Sequence, residues 1–169
     1  MPLRVGGVHP AVFFGVAAVV VAIDAATKQL VLNSLEPGEV RDLVGSVLRL
    51  TLVRNPGAAF SFATNATWVL TLVATAVAIG VVVVSRRAVS LVWTLALGLV
   101  LGGALGNLAD RFFRDPGFLR GHVVDFLELP DFPVFNLADS AIVCGAVLVV
   151  LLTLLGRTLD GQRLRSTAP

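Results

Sequence analysis

The stretch Asn136–Leu155 reads NLADSAIVCGAVLVVLLTLL. From Leu137 onward it is apolar enough, over about 20 residues, to cross a bilayer. Yet it opens on a carboxylate, Asp139. An ionisable side chain at the entrance to hydrocarbon is costly and marks a functional site by default. Asn136 offers a helix cap, which places Asp139 in the first turn, where the helix N-terminus favours negative charge. A second carboxylate, Asp125, lies fourteen positions earlier in Val123-Val124-Asp125-Phe126, across a Pro-containing segment. A loop of that kind can bring the two face to face. Carboxylates held close do not both ionise readily and come to share a proton, which is what aspartyl acid/base chemistry requires. The same residues also fit a plainer arrangement, in which Asn136 and Asp139 form a cap and Asp125 is an interfacial loop residue.

Working outward, the whole chain has the composition of a membrane protein. Of its 169 residues, 56% are hydrophobic and 14% charged, against about 25% charged in soluble domains. The mean hydropathy is +0.89. Segments at about 11–32, 67–84, 89–108 and 137–155 are each long enough to span. The expected fold is therefore an all-α integral membrane protein of one domain, residues 1–169, with four transmembrane helices. The middle two spans are joined only by Ser85-Arg86-Arg87-Ala88 and form a tight hairpin. The two long connections then fall on one side of the membrane: an excursion at about 36–63 and a loop at about 109–136. In the first, Glu39–Val44 and Val47–Val53 are rich in aliphatic and β-branched residues around Gly45-Ser46, which predicts a small extracytoplasmic β-element.

Arginines set the orientation. Arg4, Arg86, Arg87, Arg157, Arg163 and Arg165 crowd the short segments on the side of the termini, while an equal number is diluted among acidic residues in the long connections. Both termini are expected in the cytoplasm, with both aspartates near the outer face. The opening segment also resembles a secretory leader, but Asp24 and Lys28 follow at i,i+4 spacing and the apolar pattern resumes, so a retained helix is expected. The net charge of +2 comes with no basic stripe, and no nucleic-acid partner is expected. The single cysteine, Cys144, excludes an intrachain disulfide, and no Cys/His cluster suggests a metal. No cofactor is expected.

Three more constellations carry polar residues into apolar surroundings. Asp24-Ala25-Ala26-Thr27-Lys28 can turn an ion pair inward. Asn55-Pro56-Gly57-Ala58-Ala59-Phe60-Ser61 is either a turn closing the β-element or a small-residue wall where a backbone can approach. In the third span Gly98, Gly102 and Gly106 make a smooth packing face, followed by Asn107, Asp110 and Arg111 at its outer end.

These motifs, in this order on four spans, resemble the bacterial lipoprotein signal peptidases (signal peptidase II), intramembrane aspartyl proteases. The resemblance covers roughly Val16 to Leu152. It implies four helices, an extracytoplasmic β-cradle and a helical segment on the same side. It also implies cleavage of prolipoproteins before their diacylglyceryl-modified cysteine, in the bacterial cytoplasmic membrane, by a single chain in contact with lipid. By resemblance Asp125 and Asp139 are the catalytic pair. Asp24, Lys28, Asn55, Gly57, Asn107, Arg111 and Asn136 match the other motif positions, with Asn107, Arg111 and Asn136 lining the site and Arg111 on the substrate backbone. Asp110 is expected to pair nearby. The stretch between the two aspartates is shorter than in many members, which bears on the reach of the loop there. Two rival readings remain: a hydrolase using Ser61 or Ser140 with Lys28, and a proton-coupled transporter or assembly subunit with inward charges.

Overall fold

Where hydropathy predicts spans, the chain forms helices. The computed structural model describes residues 10–57 and 67–163. Its elements run α1 (Pro10–Ser34), β1 (Val40–Val44), β2 (Leu48–Asn55), α2 (Thr67–Ser85), α3 (Leu91–Phe113), β3 (Val123–Glu128) and α4 (Leu137–Leu154). All four helices are long and apolar enough to cross a membrane. Even α4, the shortest, rises about 27 Å at 1.5 Å per residue. Their outer faces keep large apolar side chains exposed, among them Val19, Val73, Ile79 and Val147, as lipid-facing surface requires.

α3 is the centre of the bundle. Its apolar window is 61% buried, against 17–22% for the other three, and it packs on α1, α2 and α4. The glycines make this possible. A Cβ at Gly102 would lie 2.6 Å from Val20 Cβ and 2.9 Å from the Ala17 carbonyl of α1. At Gly103 it would strike the Ala138 carbonyl and sit 2.7 Å from Ile142 Cγ1 of α4. At Gly106 it would lie 2.7 Å from Asp24 Oδ2. With no hydrophobic drive between helices in lipid, such backbone approach is the main source of packing energy. We expect Gly103→Val to cost about 1–3 kcal/mol by overpacking and to lower activity further by moving α4 away from α3. Thermal unfolding in detergent alongside a cleavage assay checks this; an unchanged midpoint contradicts it.

The β-element is one strand larger than the sequence suggests. β1 and β2 form the expected hairpin around Gly45-Ser46, with Gly45 at φ 51°. β3 comes from the stretch read as a loop and pairs antiparallel with β2, giving the order β1-β2-β3. The register sets Asp125 opposite Val53 and Val123 opposite Asn55. Phe135 bridges to Leu127 on the far side of β3, so the chain enters α4 directly from the sheet. A small cluster of Val31, Leu35 and Phe126, with Leu50, Leu52, Leu127 and Leu137 around it, seats the sheet on the end of α1. Among the described residues there is no helix between α3 and β3, where only turns occur. α3 itself runs to Phe113, past the expected end at 108.

Candidate active site

The four spans, the sheet and the polar residues converge at one end of the bundle. Asn136 caps α4 as expected. Its Oδ1 accepts from the Asp139 backbone N–H at 2.9 Å, and its own N–H donates to Asp139 Oδ2 at 3.1 Å, a reciprocal capping box. The Asn136 side chain is fully buried, and its Nδ2 donates to Asp125 Oδ1 at 2.7 Å. One amide therefore joins the two aspartates: Asp125 hangs from its nitrogen, and Asp139 is locked to its oxygen and backbone.

The remaining carboxylate oxygens are also served. Asp125 Oδ2 accepts from Asn55 Nδ2 at 2.8 Å, and Asp139 Oδ1 accepts from Asn107 Nδ2 at 2.7 Å. Asp125, on β3, is 2% exposed. Burial pushes its carboxyl up to about 6, and the charge of Asp139 adds to this, against the hydrogen bonds from Asn55 and Asn136. Asp139 is half-buried and borders an open cavity of about 390 Å³, lined otherwise by Leu129, Phe132, Phe135, Ser140, Val143 and Cys144. The environment thus differentiates the pair: one carboxyl is enclosed and shifted upward, the other borders an apolar cavity.

The supporting residues fall around them. Lys28 and Asp24 are each 1% exposed and pair at 2.7 Å; Lys28 also pairs with Asp110 at 2.8 Å and donates to Asn107 Oδ1 at 3.1 Å. Asp110 is in turn held by Arg114, one helical turn on, so the cluster carries two cations and two anions. Such balance is what makes buried charge tolerable. Asp24 Oδ1 accepts the Ala138 N–H of α4 at 3.0 Å, and Asp110 Oδ2 accepts the Val124 N–H of β3 at 3.2 Å. The cluster thereby ties α1, α3, α4 and β3 together beneath the carboxylates. Arg111 spans the other side: its Nη1 donates to the Asn55 carbonyl at 3.1 Å and the Gly121 carbonyl at 2.9 Å. In this arrangement Arg111 is engaged with the chain's own backbone, joining the end of β2 to the approach to β3. Gly57, at φ 109°, closes a turn in which its N–H donates to Asn55 Oδ1 at 2.7 Å. A Cβ there would collide with Leu70. The rest of the Asn55–Ser61 motif lies outside the described residues.

Arg114 and Gly121 carry parts of this site that the sequence reading did not assign. The Asp110–Arg114 pair follows i,i+4 spacing and was legible. Gly121 was not: its N–H donates to the Arg111 carbonyl at 3.1 Å, and a Cβ there would strike the Asp110 carbonyl, a contact set only by tertiary packing. The serine–lysine alternative finds no support in the described residues. Lys28 has its three protons on Asp24, Asp110 and Asn107, and Ser140 Oγ donates to the Asn136 carbonyl at 3.0 Å. Among the described residues no group of three His, Cys, Asp or Glu side chains is placed to hold a metal.

Comparison with known proteins places the chain in a family. Residues 16–155 match the family described as Signal peptidase (SPase) II. A lipoprotein signal peptidase of Rhodococcus jostii is 59% identical over 89% of this chain and 76% of its own length. One of Mycolicibacterium smegmatis is 57% identical over 86% of this chain and 62% of its own, and one of Mycobacterium avium 54% identical over 86% and 80%. A solved structure titled as a bacterial membrane enzyme superposes with a TM-score of 0.80 at 28% identity, covering 90% of this chain and 98% of that one. On these grounds the chain, a multi-pass membrane protein, belongs to the signal peptidase II family of proteases.

Proposed function

We propose that this protein is an intramembrane aspartyl endopeptidase that removes signal peptides from prolipoproteins, cutting before the diacylglyceryl-modified cysteine. The observation that carries the mechanism is the Asn136 bridge, which holds Asp125 and Asp139 as one unit at the membrane edge. The prolipoprotein substrate comes from the relatives, all three of which are lipoprotein signal peptidases. Asp139, open to the cavity and at a helix N-terminus, suits the base that takes a proton from water. Asp125, enclosed and with its carboxyl pushed up by burial, suits the acid that protonates the carbonyl oxygen of the scissile bond. Attack by water gives a tetrahedral intermediate that collapses as the amine leaves with a proton, so no acyl-enzyme forms. The chain works singly, with the substrate entering from lipid.

The position of the cut tests this. Purified protein in nanodiscs, given a lipid-modified precursor, should release a product whose first residue is the modified cysteine, as read by mass spectrometry. A product beginning at any other residue rules out the assignment.

We further propose that the site faces away from the cytoplasm, in the bacterial inner membrane. The sheet and the α3–β3 connection lie at the end of the bundle opposite Arg86-Arg87, and the arginine distribution puts Arg86-Arg87 inside. In a Cys144→Ala background, a cysteine placed at Gly117 should react with an impermeant thiol reagent added outside, and one at Arg87 only after permeabilisation. The reverse pattern would invert the topology.

A further inference from the structure

Three asparagine side chains present amides to the dyad, and each works in one orientation only. Asn55 and Asn136 give Nδ2 to Asp125, and Asn107 gives Nδ2 to Asp139. Turned over, each would set a carbonyl oxygen against a carboxylate. The orientation is fixed by whatever donates to the opposite end of each amide. For Asn55 that donor is the Gly57 backbone N–H at 2.7 Å, and for Asn136 the Asp139 backbone N–H at 2.9 Å. Both come with the fold. Asn107 differs. Its Oδ1 receives Lys28 Nζ and Asn136 Nδ2, each at 3.1 Å, and no backbone N–H among the described residues. An ammonium has three protons and no lone pair, so it faces only acceptors. Lys28 cannot swing away, because its other protons are taken by Asp24 and Asp110 and it is 1% exposed.

We infer that Lys28 is a positioning residue for the dyad: from α1, its buried ammonium fixes the polarity of the Asn107 amide, so that Asn107 always turns its NH2 to Asp139. This rests on the reading of Asp125 and Asp139 as the catalytic pair. Without Lys28, the only remaining donor to Asn107 Oδ1 among the described residues is Asn136, whose amide is already shared with Asp125 and the Val124 carbonyl. Asn107 could then turn, leaving a carbonyl against Asp139 and displacing it from its aim at the substrate.

A purely structural Lys28, there to neutralise Asp24 and Asp110, is distinguishable from a positioning one at Asn107. Asn107→Asp gives Lys28 a stronger acceptor, so it satisfies the structural role. It also replaces the donor to Asp139 with a second acceptor, so it defeats the positioning role. A second variant, Lys28→Met with Asp24→Asn, removes the ammonium together with one of its carboxylates. Asp110 keeps Arg114, and an asparagine at 24 can still accept from the Ala138 N–H.

Steady-state cleavage of a lipid-modified precursor in nanodiscs, with thermal unfolding of each variant, tests this. Asn107→Asp should stay folded, its midpoint lowered modestly by the acceptor it sets against Asp139, and keep KM within about threefold, while kcat falls about a hundredfold through misplacement of the base. The double variant, where folded, should lose kcat in the same manner. Wild-type kcat in Asn107→Asp, or in a folded double variant, overturns the inference. So does a rise in KM with kcat intact, or failure of Asn107→Asp to fold. If the double variant does not fold, wild-type kcat in Asn107→Asp still overturns the inference. Asp139→Asn runs alongside: normal turnover there sinks the dyad itself, so that failure is distinguishable from failure of the Lys28 assignment.

Discussion

Asp125→Asn and Asp139→Asn are each expected to lower kcat about ten-thousand-fold or more, the scale seen when one member of a catalytic unit is removed. Asparagine keeps the size of aspartate but neither shuttles a proton nor carries the charge that activates water. The geometry adds a structural cost. Both oxygens of Asp125 receive side-chain NH2 groups, from Asn55 and Asn136, and both oxygens of Asp139 receive N–H groups, from Asn107 and the Asn136 backbone. Asparagine at either position must therefore point one NH2 at another donor, which costs about 1–3 kcal/mol for the polar group left unmatched. The thermal midpoint should drop modestly while most molecules stay folded. That separates the two effects: a small loss of stability removes only the unfolded fraction, whereas loss of the proton-transfer group removes activity from every folded molecule. Wild-type turnover by either purified variant would end the dyad assignment.

How much of this was legible depends on the range over which each feature is determined. The four spans were readable because membrane hydropathy is local: twenty apolar residues have few alternatives in lipid. The Asn136 cap and the Asp24–Lys28 pair were readable for the same reason, since both act within one turn of one helix. β3 was not. Val123–Glu128 is six residues with an aspartate in the middle, and it becomes a strand only because β2 and the Phe135 bridge offer partners on both edges. Nor was the true end of α3. Asn107, Asp110 and Arg111 read as the edge of the hydrocarbon, yet the helix continues to Phe113. Those polar groups are not leaving the protein; they find partners on α1, on β3 and in the β2 turn. The partners of Asp110 were not named by the sequence: it binds Lys28 and Arg114, whereas Arg111 beside it reaches backbone carbonyls. Adjacent residues on a helix point about 100° apart, so neighbours in sequence serve different partners. The two aspartates stood out as costly carboxylates; the asparagine framework that joins them is drawn from β2, α3 and the cap of α4 and has no local signature.

A precursor whose cysteine carries its diacylglyceryl group is expected to be cleaved at least about a hundredfold more efficiently, in kcat/KM, than the same peptide without it. Depth in the membrane sets this preference. Asp139 opens a membrane span and borders a cavity of about 390 Å³ whose other walls are mostly apolar: Leu129, Phe132, Phe135, Val143 and Cys144. A peptide bond alone gains little by entering such surroundings, because its polar groups lose water there. Acyl chains reverse the balance, each buried methylene being worth about 0.8 kcal/mol. Two chains fixed in the outer leaflet hold the cysteine at the level of the dyad, so much of the entropy of bringing the scissile bond to Asp125 and Asp139 is lost before the enzyme is met. The comparison needs matched precursors in nanodiscs, with and without the lipid, and Asp125→Asn as the blank. Filling the cavity with Val143→Trp should shrink the preference by slowing the modified peptide and leave the unmodified one nearly unaffected. Equal cleavage of both peptides by the wild-type protein would contradict the depth argument and point to a peptidase that reads the polypeptide alone.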